Sequence, residues 1–119
     1  MVLIKSGSSA KWEMFSDLAP KVCFVFYDLY MLLKLHGVPD IIITSLIRPK
    51  ENDSGVHALG RAIDVSVTNI PKELHPLIVE YINAKYPYDK SRPEMNTLII
   101  HTGVGYDGDI GSHIHIQCS

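Results

Sequence analysis

The 119-residue chain is short of several things, and each shortage removes a class of protein. It has two cysteines, Cys23 and Cys118, too few for the disulfide framework of a small secreted scaffold; a reduced, cytoplasmic chain is the simpler expectation. It lacks an excess of positive charge: 11 Lys and Arg against 13 Asp and Glu leave a net charge of −2. A module that works by neutralising phosphates is basic, so a nucleic-acid partner is not expected. Long apolar runs are missing too. Met1 to Ile4 is followed at once by Lys5 and Ser6-Gly7-Ser8-Ser9, whereas a secretory signal carries about 7–15 apolar residues after a positive start. The most apolar stretch, Val22 to Leu35, is interrupted by Asp28 and Lys34 and is too short and polar for a bilayer span. No repeat and no linker divides the chain.

What is present suits one globular domain over residues 1–119. The composition is 46% hydrophobic and 20% charged, an ordinary folded mixture. At this length roughly two-thirds of the unfolded surface is buried on folding, enough for a modest core.

The first ten residues read as a strand stub or a loose tail. Asp17 is placed to cap a helix and Pro20 to occupy its first turn. Val22, Phe26, Leu29 and Leu33 recur at three- and four-residue spacing and define an apolar helical face, which Gly37 and Pro39 terminate. Ile41 to Leu46 is a β-branched run of strand length. Residues 48–60 hold Pro49, Asn52, Asp53, Gly55 and Gly60 and read as a loop. Ala62 to Thr68 alternates as a strand. Asn69 and Pro71 open a helical region that ends near Tyr86 and is regular from Pro76. A polar connection, a strand over Thr97–His101, a glycine-rich loop over Thr102–Ser112 and a strictly alternating strand over His113–Gln117 complete the chain. The expected class is α+β, with helices packed on a small antiparallel sheet.

The chemistry concentrates in two clusters. One is His57-Ala58-Leu59-Gly60-Arg61-Ala62-Ile63-Asp64, the other His113-Ile114-His115. Residues i and i+2 of a strand share a face, so His113 and His115 project together. Asp64 lies between apolar Ile63 and Val65 in a strand, where a carboxylate needs a partner. Imidazoles plus one carboxylate are the ligand composition of a catalytic zinc site with an open position. By spacing alone the plain alternative stands beside it: two solvated histidines on an exposed strand face, with Asp64 capping a turn.

The series His57-x-x-Gly60-x-Ala62-x-Asp64, followed some fifty residues later by His113-x-His115, resembles the zinc peptidases of the D-Ala-D-Ala carboxypeptidase type. That group includes penicillin-insensitive murein endopeptidases, D-Ala-D-Ala dipeptidases and many phage endolysins, and the hedgehog signalling domain shares its fold and zinc site. The resemblance spans residues 41–117. It implies a hedgehog/DD-peptidase-like fold, a Zn²⁺ cofactor held by His57, Asp64 and His115, and a peptidoglycan peptide as substrate. It further implies that Arg48 holds a substrate carboxylate or carbonyl, a task suited to a planar guanidinium, and that His113 stabilises the oxyanion or orients the water. For the general base it points to Asp109, six residues before the last ligand, with Asp107 as runner-up. The dipeptidase-type position, three residues before that ligand, is Ser112 here. Both aspartates also suit plain turn chemistry in Tyr106-Asp107-Gly108-Asp109, and an Asp-x-Asp calcium site is conceivable. One departure is Gly55 where the family usually has serine; Ser54 lies one position earlier.

Other residues attract duller expectations. His36 sits at a helix end, His75 is placed in solvent, and His101 closes a strand within possible reach of the site. Strand alternation puts Cys118 with Ile114 and Ile116, away from the histidines. Tyr86, Tyr88 and Tyr106 either line a groove or pack. The expected protein is a monomeric zinc peptidase of phage-lytic type. It would accumulate in the host cytoplasm before release to the wall, or be carried on the virion. A non-catalytic zinc-containing binding module of the same fold is the alternative.

Overall fold

The computed structural model describes residues 1–47, 59–101 and 112–119. Arg48, His57, Asp107 and Asp109 therefore lie outside the described residues, as do Tyr106, Ser54 and Gly55.

Among the described residues five strands form one mixed sheet: β1 (Val2–Ile4), β2 (Ile41–Ser45), β3 (Ala62–Ser66), β4 (Leu98–His101) and β5 (His113–Gln117), in the order β1-β2-β3-β5-β4. Two helices, α1 (Pro20–Leu35) and α2 (His75–Lys85), accompany short 3₁₀ turns at Trp12–Asp17 and Lys72–Leu74. The pairs β2–β3, β3–β5 and β5–β4 are antiparallel. The expectation of an antiparallel sheet is corrected at one edge, where β1 pairs parallel to β2. The reason is the connection: α1 lies between these two strands in the chain, and a helical crossover returns the chain in the same direction. The expected stub or tail at residues 1–10 is thus a paired strand, tied on by Lys5 N–H donating to Ile43 O at 2.9 Å.

α1 follows the apolar periodicity. Val22, Val25, Phe26, Leu29 and Leu33 are its buried residues, and Gly37 follows in a left-handed conformation at φ 83°, as a helix C-terminus favours. Asp17 does not cap the helix, contrary to expectation. Ala19 is the N-cap, with no side-chain cap and Pro20 in the first turn. Ala19 N–H instead donates to Gly60 O at 2.7 Å, so the helix entrance is tied to the start of β3. Gly60 has φ +70°, and a Cβ there would stand 2.4 Å from Asp17 O. Only glycine fits that approach, a structural reason for the glycine four residues before Asp64.

β3 stops at Ser66, two residues earlier than its alternation predicts. Ser66 Oγ accepts from Thr68 N–H at 3.2 Å and lies 2.8 Å from Thr68 Oγ1, a local turn that competes with the ladder. α2 starts at His75, after the 3₁₀ turn. His75 is half-buried rather than solvated, its Nε2 3.3 Å from Ile70 O. The edge strand β4 is covered by Asn83 of α2, whose amide donates to Leu98 O at 2.9 Å and accepts from Leu98 N–H at 2.8 Å. A side chain thus takes the place of a further strand there.

One core joins both helices to one face of the sheet. Ile63, Val65, Ile114 and Ile116 meet Val22, Leu29, Leu33, Ile78 and Ile82 there, each 1% exposed or less. Cys118 extends that core as expected, and both cysteines are free thiols. No described helix is long and apolar enough to cross a membrane.

Candidate metal and catalytic site

The opposite face of the adjacent strands β3 and β5 carries the polar residues. Antiparallel register sets Asp64 opposite His115 and Ser66 opposite His113, while β4 sets His101 opposite His113. Residues paired across a ladder share a face. Asp64, His113 and His115, two of the expected zinc ligands and the expected oxyanion residue, are therefore brought together. His57, Arg48 and Asp109, the remaining expected site residues, lie outside the described residues.

Asp64 and His113 are buried, 2% and 5% exposed, and the His115 side chain is half-buried at 12%, which removes the alternative of solvated histidines on an open strand face. Asp64 Oδ1 lies 2.8 Å from His115 Nδ1. The other ring nitrogen of His115, Nε2, lies 3.1 Å from Gln117 Oε1. Gln117 orients its own amide, because its Nε2 donates to Asn96 O at 2.8 Å; a flipped amide would set two oxygens face to face. The His115 ring is thus held between two acceptors. A neutral imidazole has one N–H, so a neutral ring donates to only one of these two oxygens at a time.

Two residues at this site were not singled out by sequence reasoning. Gln117 continues the alternation of His113 and His115, and that alternation was the available signal. Ser45 had none. A bulge in β2 shifts the register so that Ile43 pairs with Val65 but Ser45 with Asp64, and bulges re-aim side chains. Its buried hydroxyl has no hydrogen-bond partner among the described residues. His101 also belongs here, its ring centroid 5.1 Å from that of His113 and 6.0 Å from that of His115. Burial first, and then the neighbouring His113 and His115 rings, hold its imidazole below the ordinary histidine value, against an opposing pull from Asp64. His101 is therefore neutral at pH 7.

Among the described residues no three His, Cys, Asp or Glu side chains are grouped to hold a metal ion. Asp64 and His115 are a pair suited to such a set. Two ligand atoms of a tetrahedral zinc ion lie about 3.3 Å apart when their bonds are ~2.0–2.1 Å. The observed 2.8 Å is a direct hydrogen-bond distance, shorter than that span. A carboxylate and an imidazole are chemically apt donors for zinc.

Tyr86 and Tyr88 do structural work. Tyr86 Oη donates to Asp28 at 2.6 Å, and Lys85 Nζ pairs with the same carboxylate at 2.7 Å, joining α1 to the end of α2. Tyr88 is buried. Searches for relatives found no matching family model, curated protein or solved structure.

Proposed function

We propose that the chain is a zinc metallopeptidase that hydrolyses peptide bonds in bacterial peptidoglycan, of the phage-endolysin type and hedgehog/DD-peptidase-like fold. The observation that carries the reading is the pair of buried Asp64 and half-buried His115, with a ring nitrogen facing a carboxylate oxygen at 2.8 Å. A buried carboxylate beside a histidine already committed to a second acceptor is poised to share a cation.

His57, Asp64 and His115 would hold the zinc. When bound, zinc polarises the scissile carbonyl and lowers the pKa of a bound water. The chain's own residues then divide the remaining work. Asp109 takes the proton from the attacking water and returns it to the leaving amine. Arg48 binds a substrate carboxylate or carbonyl through its fork of donors. His113 donates to the tetrahedral oxygen as charge develops there. His101, neutral and packed on His113, helps fix the orientation of that ring.

The test is turnover of purified sacculi and stem peptides by zinc-loaded protein, with Asp109→Asn and Asp107→Asn beside the wild type. Loss of a general base slows turnover by about 10²–10⁴-fold. That loss is expected for Asp109→Asn with zinc retained, and little loss for Asp107→Asn. The reverse pattern moves the base to Asp107. Full zinc occupancy with no turnover on any wall substrate leaves a binding module instead.

A further inference from the structure

We infer that Gln117 is a positioning residue that makes Nδ1 of His115 the atom presented to the metal. This rests on the zinc reading above. Gln117 follows His115 by two residues on the same strand face, and its side chain is 4% exposed. Its amide is clamped at the far end by Asn96 O at 2.8 Å, and its backbone N–H donates to Thr97 O at 2.8 Å. The accepting segment is itself anchored. Thr97 Oγ1 donates to Tyr86 O at the end of α2, and Asn83 brackets Leu98 from the same helix. The amide therefore shows oxygen, not nitrogen, to His115.

That polarity has a consequence for metal binding. With Gln117 Oε1 3.1 Å from Nε2, the ring proton has an acceptor on the side away from Asp64, and the Nδ1 lone pair is left toward the carboxylate. Loss of that acceptor shifts the balance toward a proton on Nδ1, donated to Asp64 Oδ1 2.8 Å away. The two side chains would then satisfy each other, and a metal would have to break that bond to enter. Gln117 weakens this self-closed arrangement and fixes the ring plane, the two tasks of an outer-shell partner.

The experiment compares zinc affinity, by chelator competition on the full chain, for wild type, Gln117→Leu and Gln117→Glu. It also locates the His115 ring proton by ¹⁵N NMR of the zinc-loaded wild type. Gln117→Leu removes the acceptor and should weaken zinc by about 10–100-fold. Gln117→Glu keeps an acceptor oxygen toward His115, although its second oxygen faces Asn96 O, and should bind zinc more tightly than Gln117→Leu; the NMR should place the proton on Nε2. A proton on Nδ1 in the zinc-loaded wild type overturns the inference without any variant, so a misfolded Gln117→Leu would not shield it. Equal affinities for wild type and Gln117→Leu also overturn it, while leaving the zinc site intact. Failure of the wild type to bind zinc overturns the zinc reading and this inference with it.

Discussion

The two faces of β3 and β5 are both largely hidden and chemically opposite, the half-buried His115 being the most open of their polar side chains. On one, Ile63, Val65, Ile114 and Ile116 are 0% exposed within the helix-covered core. On the other, Asp64, Ser66, His113 and Gln117 are each 8% exposed or less. One stretch of backbone serves both, because successive side chains of a strand point to opposite faces. Burial therefore does not by itself mark a core. On the dry face it is matched by apolar neighbours and stabilises the fold. On the polar face each buried group needs a specific partner, and the proposed zinc site would draw on that need.

The sharpest way to break the comparison is to change one face and read both. Asp64→Asn keeps the volume but loses the carboxylate charge. Zinc content should fall to a small fraction of one per chain, and wall hydrolysis to background, as elemental analysis and a sacculus assay would record. A full complement of zinc in Asp64→Asn would remove this residue from the ligand set. On the dry face Ile114→Ala should cost about 2–5 kcal/mol in denaturant unfolding, through lost burial and the cavity left behind. Zinc per folded chain should nevertheless remain as in wild type. A variant that is fully stable but zinc-poor would show that the faces are not separable.

Cys118→Ser is a smaller intrusion. The thiol is 2% exposed on the dry side, and burial raises its pKa. A hydroxyl there should cost about 1–3 kcal/mol for want of a partner, again with zinc retained. Loss of metal from a folded Cys118→Ser protein would contradict the register of β5.

The smallest effect concerns a polar cluster on the helix side, Asp28 with Lys85 and Tyr86. Burial pushes the Asp28 carboxyl up, but hydrogen bonds from Lys85 and Tyr86 outweigh it, and its pKa lies below the usual 3.8. A depressed carboxylate pKa adds stability that is fully present above the unfolded value and is lost as pH falls through the folded one. Asp28→Asn should cost about 1 kcal/mol at neutral pH, since Lys85 is half in solvent and screens the pair. The difference from wild type should shrink below about pH 4, near the 3.8 reference, in urea melts at stepped pH. A gap that persists at low pH would mean that the substitution perturbs packing rather than charge.

How much could be read in advance varied with the range of the interaction involved. The α1 face was legible because 3.6-residue periodicity is local, and so was the sharing of a face by His113 and His115. Cys118 was correctly assigned to the apolar face because one strand's alternation carries through its end. The cap of α1 was misread: Asp17 has the right chemistry, but Ala19 N–H finds its partner in Gly60, more than forty residues on. His75 was misplaced although its partner is local: the Ile70 carbonyl lies only five residues back, in the preceding turn.

By itself the sequence determined which strands carry a polar and an apolar face, where α1 turns inward, and which residue types could bind a cation. Tertiary structure alone decided which of those residues meet. Strand order sets Asp64 beside His115 across 51 positions of chain, and β4 at the edge brings His101 to His113. A bulge in β2 pairs Ser45 with Asp64, and the Asn96 carbonyl turns the Gln117 amide toward His115. Periodicity is written along one chain segment. Register, bulges and the direction of a hydrogen bond depend on segments that come together only on folding.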